Sequence, residues 1–181
     1  AVRHGRIAAE WGRGLPTDTQ VVQASAGKST FSSVLAIAVR EGKIASVDDA
    51  VVEYYPEMMN VAPGVGPKEG RHAFPKNAGI TFRQLIGNTS GYMKPGEAPG
   101  KVFHYQSYGM NILTHAIAAR YGLYKTADPQ RGAGFGKLTE WKIRNPIGGS
   151  WDWKVTNFDL PKAAKIAIFG NYTNYRCTSR D

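Results

Sequence analysis

Apolar residues recur along this chain mainly at helical spacing. Phe31, Val34, Leu35 and Ala38 fall at i, i+3, i+4 and i+7, and Ala36, Ile37 and Val39 fill the remaining sides. A helix apolar nearly all round is expected to be buried, and Gly42 is expected to stop this one. Met110, Leu113, Ala116 and Ile117 mark another helix, read as amphipathic, that ends near Gly122. Between them, Thr81-Phe82-Arg83-Gln84 matches a capping box opening a short helix through Leu85 and Ile86, with Gly87 as its end. Ser46 to Tyr55 reads as a short acidic helix ended by Pro56. Asn60 to Gly79 and Gly91 to Lys101 read as loops.

Strand signals are fewer. Ala1 to Trp11 reads as two short strands around a His4-Gly5 turn, a hairpin spanning residues 1–13. Val21 and Val22 lead into the first helix, and Ile166 to Phe169 is an apolar run of strand length. No internal repeat and no linker divides the chain, so residues 1–181 are expected to form one domain, with 24–181 mainly helical. The expected fold is mixed α and β: opening strands in an antiparallel sheet, a helical region against it, and an active site between the two.

Composition narrows the function classes. A chain of 181 residues can bury a core without disulfides or metal, and 42% hydrophobic residues with 21 glycines and 10 prolines exclude disordered and fibrous classes. The longest unbroken apolar run, Val34 to Val39, is far shorter than the roughly 20 residues of a membrane span. Cys177 is the single cysteine, so no internal disulfide forms. A net charge of +9 raises nucleic acid as a partner, but Lys and Arg are scattered with no run of three, which reads as a solvated basic surface. His4, His72, His104 and His115 show no ligand spacing, so no metal is expected. No signal peptide is visible, which leaves cytoplasm, periplasm and exterior open, and the abrupt opening is what a segment of a longer protein would show.

Candidate chemistry centres on Ala24-Ser25-Ala26-Gly27-Lys28-Ser29. Three residues along an α-helix is about 300° of rotation, so Ser25 and Lys28 project within about 60° of each other. A serine hydroxyl is a poor nucleophile until a base takes its proton, and a lysine serves when its own proton is held less tightly. Burial and the positive end of a helix dipole both act in that direction. Gly27-Lys28-Ser29 also resembles the end of a phosphate-binding loop, but that motif needs a glycine where Val22 stands. No Gly-x-Ser-x-Gly elbow is present, which speaks against the α/β-hydrolase route to a serine enzyme.

Other segments follow in an ordered series: Glu41-Gly42-Lys43-Ile44, Asp48-Asp49, Tyr54-Tyr55-Pro56, Ile80 to Ile86, Thr89-Ser90-Gly91, and Phe103-His104-Tyr105-Gln106-Ser107. With Ser25-x-x-Lys28, this order resembles the serine β-lactamase-like superfamily: class C β-lactamases, penicillin-binding DD-peptidases, and related esterases and nylon-oligomer hydrolases. The resemblance is strongest from Val21 to Gly122 and implies a β-lactamase/transpeptidase-like fold. It implies Ser25 as the acylated nucleophile, Lys28 as its proton acceptor, and Tyr105 as a partner in the relay. Ser107 stands at the usual Asn of Tyr-x-Asn, a departure that fits the esterase and amide-hydrolase branches better than β-lactam turnover. Asn88 replaces a common His in a segment read as structural.

The family also carries a third motif, Lys-Thr-Gly or His-x-Gly, whose strand completes the oxyanion hole. Lys125-Thr126-Ala127 lies too soon after Tyr105 and lacks the final Gly, while Cys177 to Asp181 resembles the start of a helix upstream of that strand. The fold is therefore expected to be incomplete at its C-terminal end. Trp151 and Trp153 read either as packed aromatics or as walls of an acyl pocket, and join Ser107 as candidate substrate contacts. The implied function is hydrolysis of a small ester, amide or β-lactam through an acyl-enzyme, without cofactor. The rivals are a catalytically inactive fragment or binding relative, and a nucleotide-binding loop protein.

Overall fold

Helix α1, Ser29–Arg40, emerges from a 3-10 turn at Ala24–Lys28 and ends where Glu41 N–H and Lys43 N–H donate to the Ile37 and Ala38 carbonyls, both at 2.9 Å. In this computed structural model, residues 1–124, 134–153 and 175–178 are described. Expectations for Lys125-Thr126-Ala127 and Ile166 to Phe169 lie outside them. Phe31, Val34, Leu35 and Ala38 are buried as their spacing predicts. The expectation of burial all round is not met: Ala36 is exposed, and Ile37 and Val39 are half-buried.

Helix α2, Phe82–Ile86, starts at the capping box read from the sequence. Gln84 N–H donates to Thr81 Oγ1 at 3.3 Å, and Thr81 N–H donates back to Gln84 Oε1 at 3.1 Å. Helix α3, Ser107–Arg120, reverses its expectation: every position from Gly109 to Ala118 is buried, Asn111, Thr114 and His115 included. It packs against α1, α2 and helix α4, Gly134–Thr139, and so has no face left for solvent through that stretch. Thr114 Oγ1 donates back to the Asn111 carbonyl at 2.9 Å, and the His115 ring lies 4.3 Å from that of Tyr124. Buried polar groups with such partners are tolerated inside a core.

Ser46 to Tyr55 does not form a helix; only Val51–Glu53 makes a 3-10 turn. Asp49 Oδ2 accepts from Ser46 N–H at 2.9 Å and from the Tyr54 hydroxyl at 2.5 Å, while Val51 N–H donates to the Ile80 carbonyl at 2.9 Å. Side-chain capping and this long-range bond outcompete a local helix. The core around α1 and α3 takes in Ile44, Tyr55, Met58, Phe82, Leu85, Tyr92 and Phe135.

Strands β1, Val2–Arg3, and β2, Arg6–Ile7, pair antiparallel across a turn in which His4 and Gly5 have φ of 51° and 75°. They form a sheet of their own and are exposed throughout, so the opening strands do not join the sheet beside the helices. That sheet is β3, Val21–Val22, β4, Asp152–Trp153, and β5, Tyr175–Cys177, in the order β3-β5-β4, antiparallel. Cys177 was expected to open a helix and is instead paired with Val21 in this sheet. Among the described residues no helix is long and apolar enough to cross a membrane.

Candidate active site

The chain reaches Ser25 by a strand-to-helix turn. Val22 pairs with Arg176, Gln23 N–H donates to the Tyr175 carbonyl at 2.9 Å, and Ala24 then turns the backbone with φ of 45°, a left-handed conformation that costs a non-glycine residue about 1 kcal/mol or more. The 3-10 turn follows at once. At three residues per turn, side chains three apart eclipse, so Ser25 and Lys28 stack more directly than on an α-helix. Gly27 lies against β5: a Cβ there would sit 2.9 Å from Tyr175 Cβ, so the turn approaches the strand this closely only without a side chain.

Lys28 is only 8% exposed, and three hydroxyl oxygens surround its ammonium group. Nζ donates to Tyr105 Oη at 2.6 Å, to Ser25 Oγ at 2.9 Å and to Ser107 Oγ at 3.4 Å. Residues 25 and 28 come from the entry to α1, and 105 and 107 from the entry to α3. Burial pushes the Tyr105 hydroxyl up, but hydrogen bonds from Lys28 and Ser25 and the lysine charge outweigh it and hold the phenol below its usual range. No acidic residue lies in the first turn of α1, so its positive end is unopposed by side chains there and favours negative charge building near Ser25.

Ser25 is exposed and Tyr105 is 52% exposed. The cluster is a buried amine beneath two accessible hydroxyls. Beside it opens a cleft of about 320 Å³ whose lining includes Tyr105, Gln106, Ser107 and Tyr108 together with Lys68, Arg71 and Lys94.

Trp151 and Trp153 do not line that cleft. Trp153 stacks 5.9 Å from Phe31 and lies 5.1 Å from Tyr175, and Trp151 lies 6.0 Å from Tyr175. Of the two readings offered by the sequence, these contacts support packed aromatics between sheet and helix.

Asn88, in a segment read as structural, has a direct bearing on the site. It sits at φ of 54°, and its carbonyl accepts from His104 N–H at 2.8 Å while its side-chain Oδ1 accepts from Gln106 N–H at 3.2 Å. The backbone N–H groups of both residues neighbouring Tyr105 are thus fixed by one residue. Gln106 Nε2 adds a bond to the buried Ser90 Oγ at 3.2 Å. The tolerance of asparagine for left-handed backbone was the available signal.

The family model for β-lactamases matches residues 1–128. Among solved structures, the chain is similar to a class C β-lactamase, with a TM-score of 0.63 and 17% identity over 92% of this chain and 49% of that one. It is similar to a D-stereospecific amidohydrolase from Streptomyces sp., with a TM-score of 0.62 and 18% identity over 90% and 58% of the two chains. A penicillin binding protein from Bacillus halodurans gives a TM-score of 0.60 and 14% identity over 91% and 57%. These likenesses give the fold as β-lactamase/transpeptidase-like, and the chain spans about half the length of the solved structures it matches. No curated protein matches the sequence significantly.

Proposed function

The chain belongs to the β-lactamase family, and from that membership together with its hydroxyl–amine cluster we propose that it is a serine hydrolase in which Ser25 is acylated by an ester or amide. Ser25 Oγ attacks the carbonyl carbon as its proton passes to Tyr105 Oη, either directly or through Lys28 Nζ. In its deprotonated form, favoured by the Lys28 ammonium 2.6 Å away, Tyr105 Oη accepts this proton. The carbon–oxygen or carbon–nitrogen bond then breaks, the same proton goes to the leaving group, and the acyl group stays on Ser25. Water enters, gives its proton to the Tyr105–Lys28 pair, and releases the acid while the proton returns to Ser25 Oγ.

The observation that carries this reading is the position of one buried amine 2.9 Å from Ser25 Oγ and 2.6 Å from Tyr105 Oη. A serine serving only as a helix cap needs neither partner. Ser107 in place of asparagine supports small esters and short amides over β-lactams as substrates, since a hydroxyl offers no amide N–H to a substrate's acyl-amide carbonyl. The test is intact mass after incubation with a fluorophosphonate probe. An adduct on the native chain and none on Ser25→Ala is the expected result; no adduct on either would overturn the proposal in favour of an inactive relative.

A further inference from the structure

Half of the Tyr105 side chain lies in solvent, so packing restrains its ring on one side only, yet its hydroxyl must stay on Lys28 Nζ. The residue before it is held at both ends. His104 N–H is bound by the Asn88 carbonyl, and the ring Nδ1 lies 2.9 Å from Glu97 Oε1. A carboxylate only accepts, so Nδ1 carries the proton and donates it. The same Glu97 oxygen accepts from Lys94 Nζ at 2.9 Å, and Lys94 is buried. One oxygen thus takes two donors while its twin, Oε2, is buried without a hydrogen-bond partner.

The loop of residues 91–101 is built to hold this carboxylate in place. Lys76 Nζ donates to three of its carbonyls, those of Lys94, Pro95 and Glu97. Gly91 turns with φ of 59°, and a Cβ there would sit 2.4 Å from the Glu97 carbonyl oxygen, so the loop closes this tightly only on glycine. At the far end Gly100 N–H donates to the Thr89 carbonyl at 2.7 Å. A buried ion pair adds little stability, because desolvation offsets the attraction, and a bare carboxylate oxygen adds to that cost. What the arrangement supplies is a fixed acceptor within reach of the residue that precedes Tyr105.

We propose that Glu97 is a positioning residue for Tyr105: by holding the His104 ring it anchors the segment that carries the phenol and keeps the hydroxyl on Lys28. The proposal rests on the acylation reading for what Tyr105 does, and adds the group that keeps it in place. Asn88 secures the backbone N–H groups on either side, and Glu97 adds a side-chain tether that stops the segment from turning about them. Lys94 balances the charge of Glu97; the hydrogen bond to His104 is the part that acts on Tyr105.

The test uses two double variants that differ by one acceptor. Lys94→Met/Glu97→Gln keeps an amide oxygen for His104, and Lys94→Met/Glu97→Leu removes it; neither leaves a buried charge unpaired, so both are expected to fold. Each is compared with the native chain and with His104→Ala in fluorophosphonate labelling of Ser25. The Tyr105 phenol titration is followed in parallel by NMR of isotope-labelled tyrosine, assigned with Tyr105→Phe. The glutamine pair should stay within about threefold of the native rate with its phenol still held below the ordinary value, whereas the leucine pair should slow about tenfold, the worth of one hydrogen bond, and titrate nearer that value. His104→Ala should match the leucine pair, and adding it to that pair should slow labelling no further. Equal rates and titrations in the two double variants, or slower labelling with an unmoved phenol, overturn the proposal. Absence of labelling on the native chain overturns the acylation reading, and the phenol titration then decides the role of Glu97 by itself.

Discussion

Helices α1 and α3 supply the two halves of the candidate site, yet they are held in the molecule in opposite ways. The core half of α1 is Phe31, Val34, Leu35 and Ala38, and its outer side shows Ser32, Ser33 and Ala36 to solvent. α3 is enclosed from Gly109 to Ala118. The two helices carry similar shares of apolar residues, yet α1 is the more exposed one. Burial is therefore set by position in the packing: among the described residues α3 lies among α1, α2 and α4, while α1 contacts α3 and α4. The entries to the helices differ in the same sense. Ser25 and Lys28 are fixed by a strand pairing and a close approach to Tyr175, whereas Tyr105 is fixed through the backbone N–H groups of His104 and Gln106, both held by Asn88.

If the α1 entry carries the charge that organises the cluster, Lys28→Ala is the largest single loss. Fluorophosphonate labelling of Ser25 should slow by about a thousandfold, as befits removal of a group that positions and shuttles the proton, with the fold retained by circular dichroism. A loss under tenfold would move the chemistry off α1. Next in size is the core of α3. Leu113→Ala should destabilise by about 3 kcal/mol in urea unfolding, against about 1 kcal/mol for Ile37→Ala on the half-buried side of α1. Equal effects would erase the contrast between the helices.

Tyr105→Phe tests the α3 entry, with a slowing of about a hundredfold expected at neutral pH. The pH profile is the sharper measurement. Because the folded-state phenol is held below its ordinary value of 10.0, the proton-accepting phenolate is present above that lowered value and lost as pH falls through it. Native labelling should therefore rise with pH along a limb lying below pH 10, and that limb should be absent from Tyr105→Phe. A limb at or above pH 10 would show that Lys28 and Ser25 do not perturb the phenol. Asn88→Ala should slow labelling by about tenfold through loss of the Gln106 bond, and Tyr105→Phe/Asn88→Ala should be no slower than Tyr105→Phe alone, since Asn88 acts through Tyr105. Additive effects would make Asn88 merely structural.

What could be read from the sequence followed the range of the interaction. Ser25 and Lys28 are three residues apart, and the Thr81–Gln84 capping box closes within one turn, so each was legible from local spacing. Tyr105 was reached by resemblance to a family, because its contact with Lys28 spans 77 residues. β5 was missed because three residues carry little strand signal and its partner Val21 is far away in sequence. Asn111, Thr114 and His115 masked the burial of α3, since the rule that polar residues mark the outer face fails when a helix is packed on all sides. Trp151 and Trp153 stay ambiguous in the sequence for a related reason: a pocket wall and a packed core call for the same aromatic residues, and only their neighbours distinguish the two.

The smallest effect is the one that tests the comparison most cleanly. Ala36 is an exposed position on α1, one turn before Arg40, and lysine is nearly as good a helix former as alanine. Its ammonium would meet Arg40 at i+4, a like-charge pair that destabilises by a few tenths of a kcal/mol, and the C-terminal half of the helix dipole offsets part of that. Ala36→Lys should therefore shift stability by no more than about 0.5 kcal/mol, measured by thermal and urea unfolding, and leave Ser25 labelling unchanged. The matching change on α3, Ala116→Lys, puts a charge where the side chain has 0% exposure, and no soluble folded protein is expected. Should Ala36→Lys also cost 2 kcal/mol or more, the outer face of α1 is covered in solution, and the asymmetry between the two helices is lost.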